Sequence, residues 1–256
     1  MELHHRFDGP ADAPVVVLSN SLGTSLEMWE ELLPALTERF RVLRYDQRGH
    51  GASPAPPGPY TLAELGGDAL ALLDRLGLGR VSWCGTSLGG MTGMWLAVNA
   101  PERVDRLALC CTAPRLGPGE MWAERAATVR AEGMHAIVDA QLDRWFTPEF
   151  QAAGGEALER MRRAFLAIPP EGYAGCCEAI AALDLRPQLG GIEAPTLVIA
   201  ADDDEATPPE HGRLIADSVD GARFLLVERA RHLAVVERPD AVAPPLLEHL
   251  LAEARA

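Results

Sequence analysis

The sequence lacks a long apolar run. Although 48% of its 256 residues are hydrophobic, no stretch approaches the roughly 20 consecutive apolar residues of a membrane span, so no membrane partner is expected. The opening residues, Met1-Glu2-Leu3-His4-His5-Arg6, hold no apolar signal segment, and the expected address is cytoplasmic. Positive charge is also scarce. With 23 Lys+Arg against 37 Asp+Glu, the net charge is −14. Such a surface repels a phosphate backbone, which argues against a nucleic-acid partner. It also means that an anionic small molecule would need local basic groups to offset the global field. The five cysteines lack metal-ligand spacing. Cys110-Cys111 and Cys176-Cys177 are adjacent pairs that read as small buried hydrophobes in a reducing compartment, and neither a metal nor a cofactor is expected. There is no internal repeat and no low-complexity tract. The Pro/Gly loop at 54–59 is too short to separate domains, so the length fits one large α/β domain or a core with an insertion.

What is present is an alternation of short apolar strands and helical segments. Ala13-Pro14-Val15-Val16-Val17-Leu18 is β-branched and continuous, as a buried strand is. Arg41 to Tyr45, Val81 to Cys84, Arg106 to Cys111, Pro195 to Ala200 and Arg223 to Val227 read as further strands, with an edge strand at 4–7. Helical periodicity falls at 28–40, at 61–76 behind the capping-box pattern Thr61-Leu62-Ala63-Glu64, at 91–98, at 209–219 and at 239–254. Strands alternating with helices imply a mostly parallel sheet covered on both faces. From 114 to 183 the texture changes: Ala, Glu, Arg and Gly dominate and β-branched residues thin out. The expected organisation is an α/β core of 1–113 and 184–256 with a helical lid at 114–183.

The chemistry centres on Gly85-Thr86-Ser87-Leu88-Gly89, which follows a strand and opens a helix. This is the setting of a G-x-S-x-G nucleophile elbow. The turn forces the serine into strained backbone angles and exposes its hydroxyl. Glycines stand two before and two after because side chains there would collide. A serine hydroxyl needs a general base, and the base needs an orienting acid. In a parallel α/β sheet these partners are expected just after strands. Asp202, Asp203 and Asp204 follow the strand ending at Ala200, and His232 follows the strand ending at Val227. The order Ser87, Asp, His232 is that of an α/β-hydrolase triad. Asp204 is the preferred acid because of the Pro208 spacing behind it; Asp202 and Asp203 remain alternatives. His50 and, more weakly, His135 are rivals to His232. Two backbone N–H groups should hold an oxyanion, those of Leu88 and of Leu22 in the loop Asn20-Ser21-Leu22-Gly23. Asp46-Gln47-Arg48-Gly49-His50-Gly51 reads as structural, its Asp and Arg tying neighbouring loops together.

These motifs are similar to those of a known family. Leu18 to Thr24, Tyr45 to Gly51, Gly85 to Met91, Arg144-Trp145-Phe146-Thr147-Pro148 and Pro169 to Ile180 together resemble the 3-oxoadipate enol-lactonases, which are α/β-hydrolases. The likeness covers nearly the whole chain, lid included. It implies hydrolysis of a small enol-lactone bearing a carboxylate, without a cofactor, in the β-ketoadipate pathway of aromatic catabolism. General ester hydrolysis, cofactor-free perhydrolysis and a non-catalytic ligand-binding homologue are the alternatives; homo-oligomerisation is left open. Thr86, Thr92 and Ala201 depart from the family pattern, and Thr86 is placed to border the pocket. In the lid, Arg115, Arg125, Arg130, Arg144, Arg160, Arg162 and Arg163 are candidate partners for a substrate carboxylate. Arg144 is singled out because it precedes the aromatic pair Trp145-Phe146. Successive helical residues diverge by about 100°, so one of Arg144 and Trp145 should line the pocket roof and the other support it, with Trp145 expected against the lactone ring.

Overall fold

A computed structural model describes residues 1–252. Seven strands form one sheet: β1 (His5–Asp8), β2 (Val15–Ser19), β3 (Arg41–Tyr45), β4 (Val81–Thr86), β5 (Val104–Cys110), β6 (Thr196–Ala201) and β7 (Arg223–Val227). Their order is β1-β3-β2-β4-β5-β6-β7. Only β1 runs antiparallel to its neighbour; every other pair is parallel. All residues of β4 and β6 are buried. Alternate side chains of a strand face opposite ways, so a strand with no exposed position is covered on both faces.

The helices are α1 (Leu33–Leu36), α2 (Leu62–Arg75), α3 (Leu88–Asn99), α4 (Gly119–Glu132), α5 (Val138–Trp145), α6 (Pro148–Ala153), α7 (Glu156–Leu166), α8 (Pro170–Ala181), α9 (Pro209–Ser218), α10 (Ala234–Glu237) and α11 (Pro239–Leu251). Thr61 caps α2 through the expected capping box, its hydroxyl accepting the Glu64 N–H at 3.2 Å and Glu64 accepting the Thr61 N–H at 2.9 Å. Residues 28–40 do not form the single helix their periodicity suggests. A 3₁₀ turn at Leu26–Trp29 is followed by the four-residue α1. Pro34 has no N–H to donate and would remove an intrahelical bond from the middle of a helix over 28–40; it stands instead in the first turn of α1, where that N–H has no partner to lose. The last helix is described to Leu251; the expected end at Ala254 lies outside the described residues.

Helices α4 to α8 all fall between β5 and β6, within the stretch expected as an insertion. α4 packs along α8, and α7 packs on α5 and on the Leu26–Trp29 turn. This layer and the core meet backbone to backbone at Gly49 and Gly172. A Cβ on Gly49 or on Gly172 would come within 2.5 Å of the other's Cα, so both must be glycine for the two backbones to touch.

The chain crosses from β3 over β2 to β4, which makes the β2–β4 boundary the topological switch point. Ligands of open α/β sheets bind outside the carboxyl ends of strands at such a point. Ser19 pairs with Gly85 across it, which sets the Asn20–Gly23 loop directly beside the Ser87 turn.

Candidate active site

Ser87 sits between β4 and α3 at φ 54°, ψ −115°. A non-glycine residue there stores roughly 1–3 kcal/mol of backbone strain, which neighbours must hold in place. The Ser87 N–H donates to Cys110 O at 3.0 Å, and Thr112 Oγ1 donates to Ser87 O at 2.6 Å. Both flanking glycines are required by contact. A Cβ on Gly85 would lie 2.2 Å from Gly89 O, and one on Gly89 would lie 2.0 Å from Ser19 O.

His232 follows β7 and is 4% exposed. Its Nδ1 lies 2.9 Å from Asp204 Oδ2 and 3.2 Å from Oδ1. Asp204, on the turn after β6, also accepts Ala206 N–H at 2.8 Å, Thr207 N–H at 2.9 Å and Thr207 Oγ1–H at 2.7 Å. Burial pushes the Asp204 carboxyl up, but the adjacent His232 and the Thr207 hydrogen bonds outweigh it and hold the group below the usual carboxylate range. The other two acidic candidates do not reach the histidine. Asp202 and Asp203 are exposed; an Asp202 oxygen accepts the Ala230 N–H at 3.3 Å, and Asp203 faces a separate outer cleft.

Ser87, His232 and Leu22 border one cavity of about 300 Å³. Among the described residues, neither the Leu22 N–H nor the Leu88 N–H meets a protein acceptor. Leu88 is the first residue of α3, whose leading N–H groups have no intrahelical partner. These are the conditions an oxyanion site needs.

His50, the rival base, is occupied elsewhere. It is fully buried, its Nε2 accepts the Gly23 N–H at 3.0 Å, and its Nδ1 lies 3.2 Å from Arg48 O. Burial lowers its pKa to about 4, so the ring is neutral and donates from Nδ1. It therefore fixes the Leu22–Gly23 loop, a support role that the spacing of the motif did not disclose. His135 is exposed and does not border the cavity. Asp46 and Arg48 tie loops together as expected: Asp46 accepts Leu26 N–H at 2.7 Å and Ala52 N–H at 3.0 Å, and Arg48 pairs with Asp68 and Glu64. His211, in α9, also borders the cavity.

The cavity roof comes from α4, α5 and α8, including Trp122, Arg125, Gln141, Arg144, Trp145 and Ile180. Trp145 borders it but is 0% exposed, edge-on to Phe165 at 5.5 Å and pressed above Gly23, where a Cβ would meet its ring at 3.1 Å. Arg144 is only half-buried. Both border the cavity, and Arg144 is the more exposed of the two. Thr86 is buried but does not border the cavity, and its hydroxyl has no partner. Thr92 bonds back to Leu88 O at 3.0 Å.

The chain has no lysine, so its permanent side-chain cations are all arginines. Of the seven candidates at 114–183, Arg115, Arg130, Arg160, Arg162 and Arg163 are ion-paired to carboxylates. Arg125 and Arg144 have no carboxylate partner among the described residues, and these are the two that border the cavity. Gln141 Oε1 accepts from Arg125 at 3.2 Å and Tyr173 OH lies 3.4 Å from it, orienting its guanidinium without neutralising it. The sequence did not distinguish Arg125 from its neighbours, because the distinguishing property is the missing ion pair. Glu205 at the same cavity supplies one opposing charge.

A family profile described as the alpha/beta hydrolase fold matches residues 14–239. 3-Oxoadipate enol-lactonase 2 of Acinetobacter baylyi is 40% identical over 239 residues, 93% of this chain and 89% of that protein. The crystal structure of the enol-lactonase from Burkholderia xenovorans LB400 superposes with a TM-score of 0.95 at 47% identity, covering 98% of this chain and 96% of that one. A thermophilic esterase from Thermogutta terrifontis, solved with malate bound, gives a TM-score of 0.90 at 28% identity over 96% of this chain and 92% of its own. The chain belongs to the α/β-hydrolase family, as an enzyme similar in sequence and structure to the 3-oxoadipate enol-lactonases.

Proposed function

We propose that the protein opens 3-oxoadipate enol-lactone by serine-based acyl transfer. Ser87 is the nucleophile, His232 the general base and Asp204 the orienting acid. With Nδ1–H held by Asp204, His232 presents Nε2 as the free base, the tautomer that serine activation requires. Attack on the lactone carbonyl builds negative charge on its oxygen, which the Leu22 and Leu88 N–H groups are placed to receive. Collapse breaks the ring C–O bond. The proton taken by His232 returns to the departing enolate oxygen, and the enol relaxes to the ketone. Water, activated by the same His232, then hydrolyses the acyl-enzyme.

The observation that carries the substrate reading is the pair of unneutralised arginines at the cavity. Two half-buried cations left without carboxylates, in a chain of charge −14, suit a ligand that brings its own. Guanidinium groups match a carboxylate with two parallel hydrogen bonds. The enol-lactonase relatives are named for a substrate of this kind, and the esterase relative was solved holding malate, a dicarboxylate. The test compares kcat/KM on purified enol-lactone with that on a neutral ester of the same size, beside fluorophosphonate labelling of Ser87. A preference of at least about a hundredfold for the anionic lactone is expected. An equal or greater rate on the neutral ester favours the general esterase instead, and absence of labelling removes the serine mechanism.

A further inference from the structure

Glu237, the last residue of α10, is a buried carboxylate with no cationic partner among the described residues. Burying an unpaired carboxylate is costly, so its surroundings have to repay it. One oxygen accepts the Thr147 N–H at 2.9 Å and the Thr147 hydroxyl; the other accepts the Arg231 N–H at 2.9 Å. All three neighbours are donors. An acceptor-only group is demanded here, which a carboxylate is and an amide is not.

The two ends of this bridge are the candidate site's own supports. Arg231 directly precedes His232. Thr147 caps α6 and lies two residues after Trp145 and three after Arg144. Two further bonds run alongside, from Leu233 N–H to Trp145 O at 3.1 Å and from the Arg231 guanidinium to Asp143 O. Residues 143–147 and 231–233 thus form one hydrogen-bonded unit across about 90 positions of sequence, and Glu237 is the side chain that reaches both.

We infer that Glu237 is a positioning residue that fixes the His232 loop and the Arg144–Trp145 turn of the cavity roof as a single body, so that substrate placement and base placement are set together. The inference rests on the serine-hydrolase reading. A purely structural tie would lower stability and leave the chemistry of the folded enzyme alone. A positioning tie changes the chemistry while the fold persists.

The test uses Glu237→Gln, measured well below its own Tm. Its amide must point an N–H at either Thr147 or Arg231. The expected result is a slowing of fluorophosphonate labelling of Ser87 by tenfold or more, with an equal fall in kcat on a small neutral activated ester. In addition, Arg144→Met should raise KM for an anionic substrate less in the Glu237→Gln background than in wild type, because the roof is no longer held. Thr147→Val removes the hydroxyl bond to Glu237 together with the cap that the same oxygen gives Phe150 N–H, and keeps the Thr147 N–H bond to Glu237. Thr147→Ser, which keeps the cap and the hydroxyl, should label at the wild-type rate, whereas Thr147→Val is expected to lose roughly threefold and serves if Glu237→Gln does not fold. Labelling within twofold of wild type in the folded variants, with Tm alone reduced, overturns the inference. A wild-type enzyme that does not label at all overturns the serine-hydrolase reading and the inference with it.

Discussion

Replacing Asp204 by Asn tests the triad most sharply, because the structure dictates which way the amide must sit. Oδ1 accepts two backbone N–H groups, from Ala206 and Thr207. An amide nitrogen there would place donors against donors, so the Asn oxygen takes the Oδ1 position. The NH₂ then takes the Oδ2 position, facing Thr207 Oγ1 and His232 Nδ1, which lie 2.7 and 2.9 Å away in the native site. Thr207 can turn its hydroxyl and accept. His232 can accept only if Nδ1 is bare, which moves its proton to Nε2 and leaves no base toward Ser87. The shape of the site survives and the tautomer is wrong. In serine triads elsewhere this change costs about 10⁴ in kcat, or about 5.5 kcal/mol of barrier. Asp202→Asn and Asp203→Asn, both on exposed side chains, should stay within about threefold of wild type. The assay is kcat on an activated ester together with the Ser87 labelling rate, with circular dichroism to confirm folding. A folded Asp204→Asn enzyme within tenfold of wild type would refute the tautomer argument, and a dead Asp203→Asn would place the acid one residue earlier.

Ser87→Ala should lose a factor on the order of 10⁴ to 10⁶ in turnover, since triad members act as a unit; hydrolysis retained within tenfold sinks the nucleophile. Arg125→Met and Arg144→Met should each raise KM for the anionic lactone about 10- to 100-fold, from a lost charge-assisted hydrogen bond of about 1.5–3 kcal/mol, and should leave a neutral ester of the same size nearly unchanged; equal losses on both substrates remove the charge argument. Thr86→Val is near-isosteric and deletes a buried hydroxyl that has no partner, so it should stabilise by about 1 kcal/mol, a rise in Tm of about 2–4 °C for a chain of this size; a lower Tm would mean that the hydroxyl is satisfied in solution. His50 and His249 are both held by burial at pKa values of about 4, below the ordinary 6.5. The unfolded chain therefore binds more protons between those limits, and the stability these groups contribute is present above pH 6.5 and lost as pH falls toward 4, with a slope of up to about 1.4 kcal/mol per pH unit for each histidine. Denaturant melts at pH 7 and pH 5 should show the fall. His249→Gln, whose amide can keep the bond to Leu107 O, should remove about half of it, and an unchanged pH dependence contradicts the assignment.

Much of this protein was legible in one dimension. The strands announced themselves by β-branched runs such as Val15-Val16-Val17, because a strand buried on both faces needs apolar residues at consecutive positions. The elbow was legible because a turn that tight excludes a Cβ at Gly85 and Gly89, a constraint written directly into residue type. That Ser87, the three aspartates at 202–204 and His232 each lie just after a strand was also legible, since the strands were. Periodicity misled at 28–40, where Pro34 interrupts an otherwise helical pattern. What the tertiary structure alone decided are properties of pairs far apart in the chain. Of three consecutive aspartates the Pro208 spacing favours Asp204 without excluding the other two, and it is packing that buries Asp204 against His232 while leaving Asp202 and Asp203 exposed. His50 looks like a catalytic histidine until Gly23 is found at its Nε2. The seven arginines at 114–183 carry the same charge, and which two remain unneutralised depends on carboxylates as distant as Glu31, which pairs with Arg160. Glu237 stood out from its neighbours only in the fold, because one of the two groups it bridges, Thr147, lies 90 residues away. Residue type and spacing encode local sterics and the period of burial; which charges are cancelled and which are left for a ligand is settled only when the fold brings the partners together.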